Sequence, residues 1–242
     1  MLKRTFVFVL GLLAPAFCAL AEPAATTPAV DLTTVEQRLN DLAHPDPSVR
    51  DRARSALLTV DLNQIRQAVR ESAPLLPSQV AALREIVTHL CLRNETYEKN
   101  STAGFLGVRF QPLPINRAGG VAGRMMTVAA VIVSRYPGFC GYGALQDGDI
   151  VLEIGDKEAG RVAAGFEMPQ ITRRYPPGAT IELQVLRRGA ILIVPLVLDA
   201  RPALADLPLA DEHMQELMAT RQQAAQRYWE ANFAPLLRGQ PS

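Results

Sequence analysis

The sequence predicts an α+β fold: a small β barrel or sandwich capped by two helices, preceded by an all-helical segment and followed by a long C-terminal helix. Three observations lead there. Apolar residues recur at intervals of three and four over residues 31–100 and again over 210–238, the spacing of one face of a helix. Between them, over 104–202, apolar runs of strand length alternate with turns rich in Gly and Pro. Within that central stretch the elements read as strand, strand, short helix, strand, helix, strand, strand.

The chain has 242 residues and a formal net charge of +1. Lys3 and Arg4 precede the apolar run Thr5 to Leu13, and Ala19-Leu20-Ala21 places small residues where a signal peptidase reads. Residues 1–21 therefore read as a signal peptide, with export to the periplasm, the cell envelope or the outside. Phe17 before Cys18 argues against a lipoprotein signal. Without Lys3 and Arg4 the chain carries 23 basic against 24 acidic residues. No basic surplus calls for nucleic acid, and no membrane contact beyond the export signal is expected. Two cysteines remain, Cys91 and Cys140; a bridge between them and two free thiols are both open.

Residues 22–30, rich in Ala, Pro and Thr, form a flexible leader. Leu32, Val35, Leu39 and Leu42 then share one helical face. Asp46-Pro47 reads as an N-cap followed by proline at the first helical position, where its missing donor costs nothing. Asp61 caps a third helix through Leu62, Ile65 and Val69, and Ser78 a fourth through Val80, Leu83, Ile86 and Leu90. Helices this short draw their stability from packing together. The stretch Leu39 to Ala53, with its Asp46-Pro47 turn, resembles one HEAT-type repeat.

In the central stretch, Phe105 to Phe110 reads as an apolar strand in which Gly107 permits close backbone approach. Pro112 to Gly123 follows as a loop, then Val128 to Val133 as a strand buried on both faces. Pro137-Gly138 breaks it, and a short helical turn leads through Leu145 to the tight turn Asp147-Gly148-Asp149 and the strand Ile150 to Ile154. Gly155-Asp156-Lys157 is a turn. Met168, Ile171 and Tyr175 fall at helical spacing, with Pro169 in the first turn. Thr180 to Leu186 and Ile191 to Leu198 flank Arg187-Arg188-Gly189-Ala190 as a hairpin.

These residues resemble the PDZ domain, in the form found in HtrA-type exported serine proteases and other bacterial envelope proteins. Phe105-Leu106-Gly107-Val108 stands at the family's carboxylate-binding loop. Pro137-Gly138, Ala144 to Ile150 and Tyr175-Pro176-Pro177-Gly178 stand at its later signatures, so the likeness spans residues 104–202. It implies that the amides of Leu106, Gly107 and Val108 meet a ligand's C-terminal carboxylate, and that its last residues add a strand beside Phe105 to Phe110. Met168, Thr172 and Tyr175 would line the opposing helix face, with Ile171 turned to the core. Phe139-Cys140-Gly141-Tyr142 is bulkier than the family's segment after Pro-Gly, and no basic residue stands immediately before Phe105.

No protease framework precedes the module, because the roughly eighty residues there read as helices. His44, His89 and His213 show no zinc spacing with the cysteines, and Gly119 to Gly123 lacks the setting of a phosphate loop. The expectation is a protein without catalytic activity or cofactor. It reads as an exported adaptor or scaffold that takes a protein or peptide C-terminus, or an extended segment, by strand addition; the alternatives are a regulatory subunit of an envelope protease and an architectural fold that binds no free peptide. After a connector at 203–208, Asp211 caps the final helix, whose Trp229 and Phe233 are expected to fold back on the barrel.

Overall fold

The computed structural model describes residues 32–95, 97–117, 125–156, 160–208 and 210–238. The expected signal peptide and leader lie outside them. Four helices come first: α1 (Leu32–Asp41), α2 (Pro47–Leu57), α3 (Leu62–Glu71) and α4 (Pro77–Arg93). The caps foreseen for α2 and α3 form, since Asp46 accepts from the Ser48 amide and Asp61 from the Asn63 amide. For α4 the N-cap is Leu76, with Pro77 in the first turn. Gln79 does the work expected of Ser78: its side-chain oxygen accepts from the Leu76 amide at 2.7 Å while its NH2 donates to Leu39 O at 2.9 Å, tying α4 to α1.

The apolar faces of α1–α4 share one core, and residues from the C-terminus enter it. α7 (Ala210–Asn232) and α8 (Ala234–Arg238) follow the barrel. Trp229 and the fully buried Phe233 stack 5.5 Å apart inside the helical core. The final helix thus folds back, but onto the helical segment rather than the barrel as expected. Arg66 reinforces this contact by donating to Asn232 Oδ1 at 3.1 Å. Trp229 and Phe233 find their apolar partners among the buried faces of the first four helices, with α7 packed against α4.

Between these helical parts lie β1 (Lys99–Phe105), β2 (Val108–Arg117), β3 (Met125–Arg135), α5 (Cys140–Ala144), β4 (Ile150–Asp156), β5 (Gly160–Ala163), α6 (Met168–Arg173), β6 (Thr180–Arg187), β7 (Ala190–Val197) and β8 (Asp199–Pro202). The sheet runs β2-β3-β4-β6-β7, with β5 on β4 and β1 pairing β8 separately, all antiparallel. Leu106, Ile132, Ile154, Ile171, Leu183 and Val185 meet in its core. The α+β class read from the sequence is the one found.

Several elements differ from their sequence reading. Phe105 to Phe110 is two strands, because Gly107 takes φ +69° and turns the chain between β1 and β2. Pro112 to Arg117 continues β2 where a loop was expected. β3 is one-sided: Ile132 is 1% exposed and Val133 42%. Gly155 and Asp156 end β4, and the short strands β5 and β8 carried too few apolar residues to stand out. The β6–β7 hairpin follows its reading, with Arg188 at φ 49° and Gly189 at φ 83°, both positive as a tight primed turn needs.

Replacing Phe233 by Ala should lower unfolding free energy by about 3–5 kcal/mol. Urea titration would measure it, and a loss below about 1 kcal/mol would mean that α7 and α8 do not complete the helical core.

Candidate functional site

The site is a groove of about 270 Å³ along the outer edge of β2. Phe105, Leu106, Gly107, Val108 and Phe110 line one side, Met168, Pro169 and Thr172 of α6 the other, and Arg201 of β8 also lines it. Of the seven residues singled out in the sequence, Phe105, Leu106, Gly107, Val108, Met168 and Thr172 line this groove. Tyr175 does not. Its side chain packs on the barrel core, while its carbonyl accepts from the Gly104 amide at 2.8 Å. Gly104 makes that contact possible: a Cβ there would stand 2.6 Å from Leu198 Cδ1 and 3.0 Å from the carbonyl oxygens of Thr172 and Tyr175.

The loop's chemistry follows from where its carbonyls go. Leu106 O accepts from the Gly141 amide at 2.9 Å, and Gly107 O from the Tyr136 amide at 2.7 Å. In a trans peptide the N–H points opposite the C=O of the same plane, so the Gly107 and Val108 amides turn away from the body. Among the described residues the Leu106 and Gly107 amides donate to no backbone acceptor. Neighbouring amides left free in this way suit an anion.

Strand geometry extends the pattern along β2. Val108 faces Arg135, and the adjacent bond runs from Tyr136 to Gly107, so Val108 and Arg135 form a non-hydrogen-bonded pair. Val108 therefore points its N–H and C=O to the free edge. Phe110 faces Ile132, whose amide donates to Asp149 O and whose carbonyl accepts from Gly148, each at 2.8 Å. With Ile132 engaged elsewhere, Phe110 too presents both backbone groups outward. The same alternation puts the nitrogens of Pro112 and Pro114 on the free edge, where proline is tolerated because no ladder donor is lost. A strand added here finds donors at Val108 and Phe110 and none at Pro112.

Arg201 is a groove-lining residue that sequence reasoning missed. No basic residue stands immediately before Phe105 in the chain, but β8 lies beside β1 and carries a guanidinium to 5.6 Å from the Phe105 ring. It is held there by Asp206 Oδ1 at 2.8 Å and Ala205 O at 2.7 Å. Only a pairing between strands nearly a hundred residues apart creates this position. The signal available in the sequence was the short run Asp199 to Pro202, too brief to read as a strand.

Beneath the loop, Phe139 is fully buried. A Cβ on Gly107 would lie 2.1 Å from Phe139 Cβ, so the loop rests directly on this side chain. The Phe105 and Tyr97 rings meet Phe139 edge-on at 5.0 and 5.6 Å. Arg221 of α7 lies 4.9 Å from the Tyr97 ring and 5.1 Å from that of Phe139, and donates to Leu92 O at 2.9 Å. Its Nε and Nη1 are buried without a hydrogen-bond partner, and Glu95 Oε2 stands 3.9 Å away. Burial holds the Arg221 pKa below its usual range. Phe139 and Tyr142 thus reach Arg221 and His89 of the helices, Cys140 packs on the barrel core, and none of residues 139–142 lines the groove.

His89 of α4 completes this contact. Its Nδ1 accepts from the Gly138 amide at 3.0 Å, which places the proton on Nε2, and its ring stacks on Tyr142 at 4.8 Å. Burial, helped by Arg93, Arg54 and Arg135, pulls its pKa down to about 3. Burial also pushes the Cys140 thiol up to about 12, with Asp199 adding to the effect, so it stays protonated at neutral pH. Both cysteines are free. Among the described residues no cluster of His, Cys, Asp and Glu gathers to hold a metal ion, and no helix is long and apolar enough to cross a membrane.

No family model matches the chain, and no curated protein matches it. Solved structures with partial likeness include the HtrA-type protease AlgW with a decapeptide, at 21% identity and TM-score 0.33, covering 51% of this chain and 35% of that one. The PDZ domain of a carboxy-terminal protease from Vibrio cholerae in complex with a peptide is 18% identical at TM-score 0.31, covering 41% of this chain and 96% of that one. The chain thus spans about a third of the length of AlgW. Likeness at this level transfers neither ligand nor activity.

The His89 contact has a pH signature. Its folded pKa lies below the roughly 6.5 of an unfolded histidine, so its contribution is complete above that value and is lost as pH falls toward the folded pKa. Stability should drop by up to about 1.4 kcal/mol per pH unit between pH 6 and 5. Denaturant titrations of the native protein and of His89→Gln would isolate it: equal slopes for the two would show that His89 is not the group responsible.

Proposed function

We propose that the protein is an exported adaptor of the periplasm or cell envelope that captures protein C-termini through a PDZ-type groove by strand addition. The observation that carries this reading is the edge of β2: free amides at the Leu106–Gly107 turn, followed by outward backbone groups at Val108 and Phe110. A terminal carboxylate at the turn would meet amides that, among the described residues, donate to no backbone acceptor. The preceding residues run antiparallel to β2 and exchange backbone hydrogen bonds with Val108 and Phe110. Arg201 adds a guanidinium, ion-paired with Asp206, to the groove wall.

The apolar walls from Val108, Phe110 and Met168 favour an apolar last residue. Binding, not catalysis, is the role assigned. Pro112 limits the length of ligand that the edge can hold, because beyond Phe110 it offers no donor. Three or four C-terminal residues therefore carry the main-chain contacts.

Octapeptides ending in valine test this reading by isothermal titration or fluorescence anisotropy. Amidating the C-terminus should weaken binding by roughly ten- to a hundredfold, the value of a charge-assisted hydrogen bond or two. Shortening the peptide to its last four residues should cost less than about threefold if main-chain pairing ends near Phe110. Equal affinity for free acid and amide would defeat the proposal.

A further inference from the structure

We propose that Arg109 selects an acidic residue at the penultimate position of the ligand. The inference rests on the groove reading and adds to it the chemistry of one side chain. With the carboxylate at the loop and the chain antiparallel to β2, the ligand's last residue lies opposite Val108, its penultimate opposite Arg109 and the one before opposite Phe110.

Val108 and Phe110 point their backbone groups at the ligand, so the pair between them, Arg109 with the penultimate residue, is non-hydrogen-bonded. Directly opposed Cα atoms in such a pair approach to about 4.5 Å, which brings the side chains closest. The two also share a face of the sheet. That face is the outer one, because Val108 and Phe110 pack against the barrel core and Arg109 is exposed.

The surroundings leave the Arg109 charge available. Across β3 its register partner is Ser134, and the irregularity that follows sets the exposed Val133 beside it. Neither carries charge. Among the described residues the Arg109 guanidinium enters no ion pair, whereas Arg135 is held by Asp147 and Arg201 by Asp206. The charged residues lining the groove are Arg109 and Arg201, with no carboxylate among them. An Asp or Glu opposite Arg109 gains an opposite-charge cross-strand pair, and a Lys there meets a like charge.

The test uses the full chain and labelled octapeptides of one sequence ending in Asp-Val, Ala-Val or Lys-Val, all free acids, with anisotropy read at low salt. The Kd for Lys-Val should exceed that for Asp-Val by about fivefold, with Ala-Val between. The ratio should fall toward one in 1 M salt, where the screening length is about 3 Å. Arg109→Glu should invert the order, and Arg109→Met, which keeps the apolar stem, should bring the ratio near one. Binding of the Ala-Val peptide without discrimination between Asp and Lys, or a ratio unchanged in Arg109→Glu, would overturn the assignment while leaving the groove reading intact. Failure of all three peptides to bind would overturn the groove reading and the assignment together.

Discussion

The contact between Gly107 and Phe139 is the constraint on which the rest depends. With 2.1 Å between an imagined methyl on Gly107 and the Phe139 Cβ, and φ at +69°, position 107 admits no side chain for two independent reasons. The close approach lets Leu106 and Gly107 direct their carbonyls into the protein, onto the Gly141 and Tyr136 amides. The same peptide planes then turn amides outward. The free donors of the loop are thus a consequence of packing beneath it.

Phe139 in turn is held by groups from three parts of the chain. Phe105 comes from β1, Tyr97 from the connection between α4 and β1, and Arg221 from α7. Arg221 is 2% exposed, and desolvating a guanidinium costs several kcal/mol unless its donors are satisfied. One donor reaches Leu92 O, two aromatic faces lie within 5.1 Å, Glu95 Oε2 stands 3.9 Å from Nη1, and Nε and Nη1 make no hydrogen bond. Such an arrangement persists only where surrounding packing enforces it. Gly138 shows how tight that packing is, since a Cβ there would lie 2.6 Å from Arg221 Nη2 and 2.7 Å from Leu92 Cβ.

Features set by neighbours in sequence were legible there: the caps Asp46 and Asp61, the Arg188-Gly189 turn and the helical turn at Met168. Those set by distant pairing were not. β8 is defined by β1, and with it the place of Arg201 in the groove. Pro112 and Pro114 read as a loop because a proline's acceptability in a strand depends on which side of it is unpaired, which only the sheet order reveals. Tyr175 was placed on the groove by helical spacing, yet α6 ends at Arg173, so the 3.6-residue period no longer governs its direction. The bulk of Phe139 to Tyr142 was visible, but its purpose was not, because the helices it faces lie up to 90 residues upstream and downstream.

The two prolines also explain why an exposed strand edge is tolerable. A free strand edge invites pairing with any extended chain, including another copy of itself. Here the edge offers donors over only Val108 to Phe110 before Pro112 and Pro114 remove them, and one side of that short window is walled by Met168, Pro169 and Thr172. The opposite edge of the sheet is treated alike. Leu198 exchanges both its backbone bonds with the Gly178–Ala179 turn, so alternation along β7 sends the backbone nitrogen of Pro195 to the free side. Proline thus stands on the outward register at both ends of the sheet. The remaining open backbone on the β2 side is confined to Val108 and Phe110, too short a window for extended main-chain pairing with another sheet.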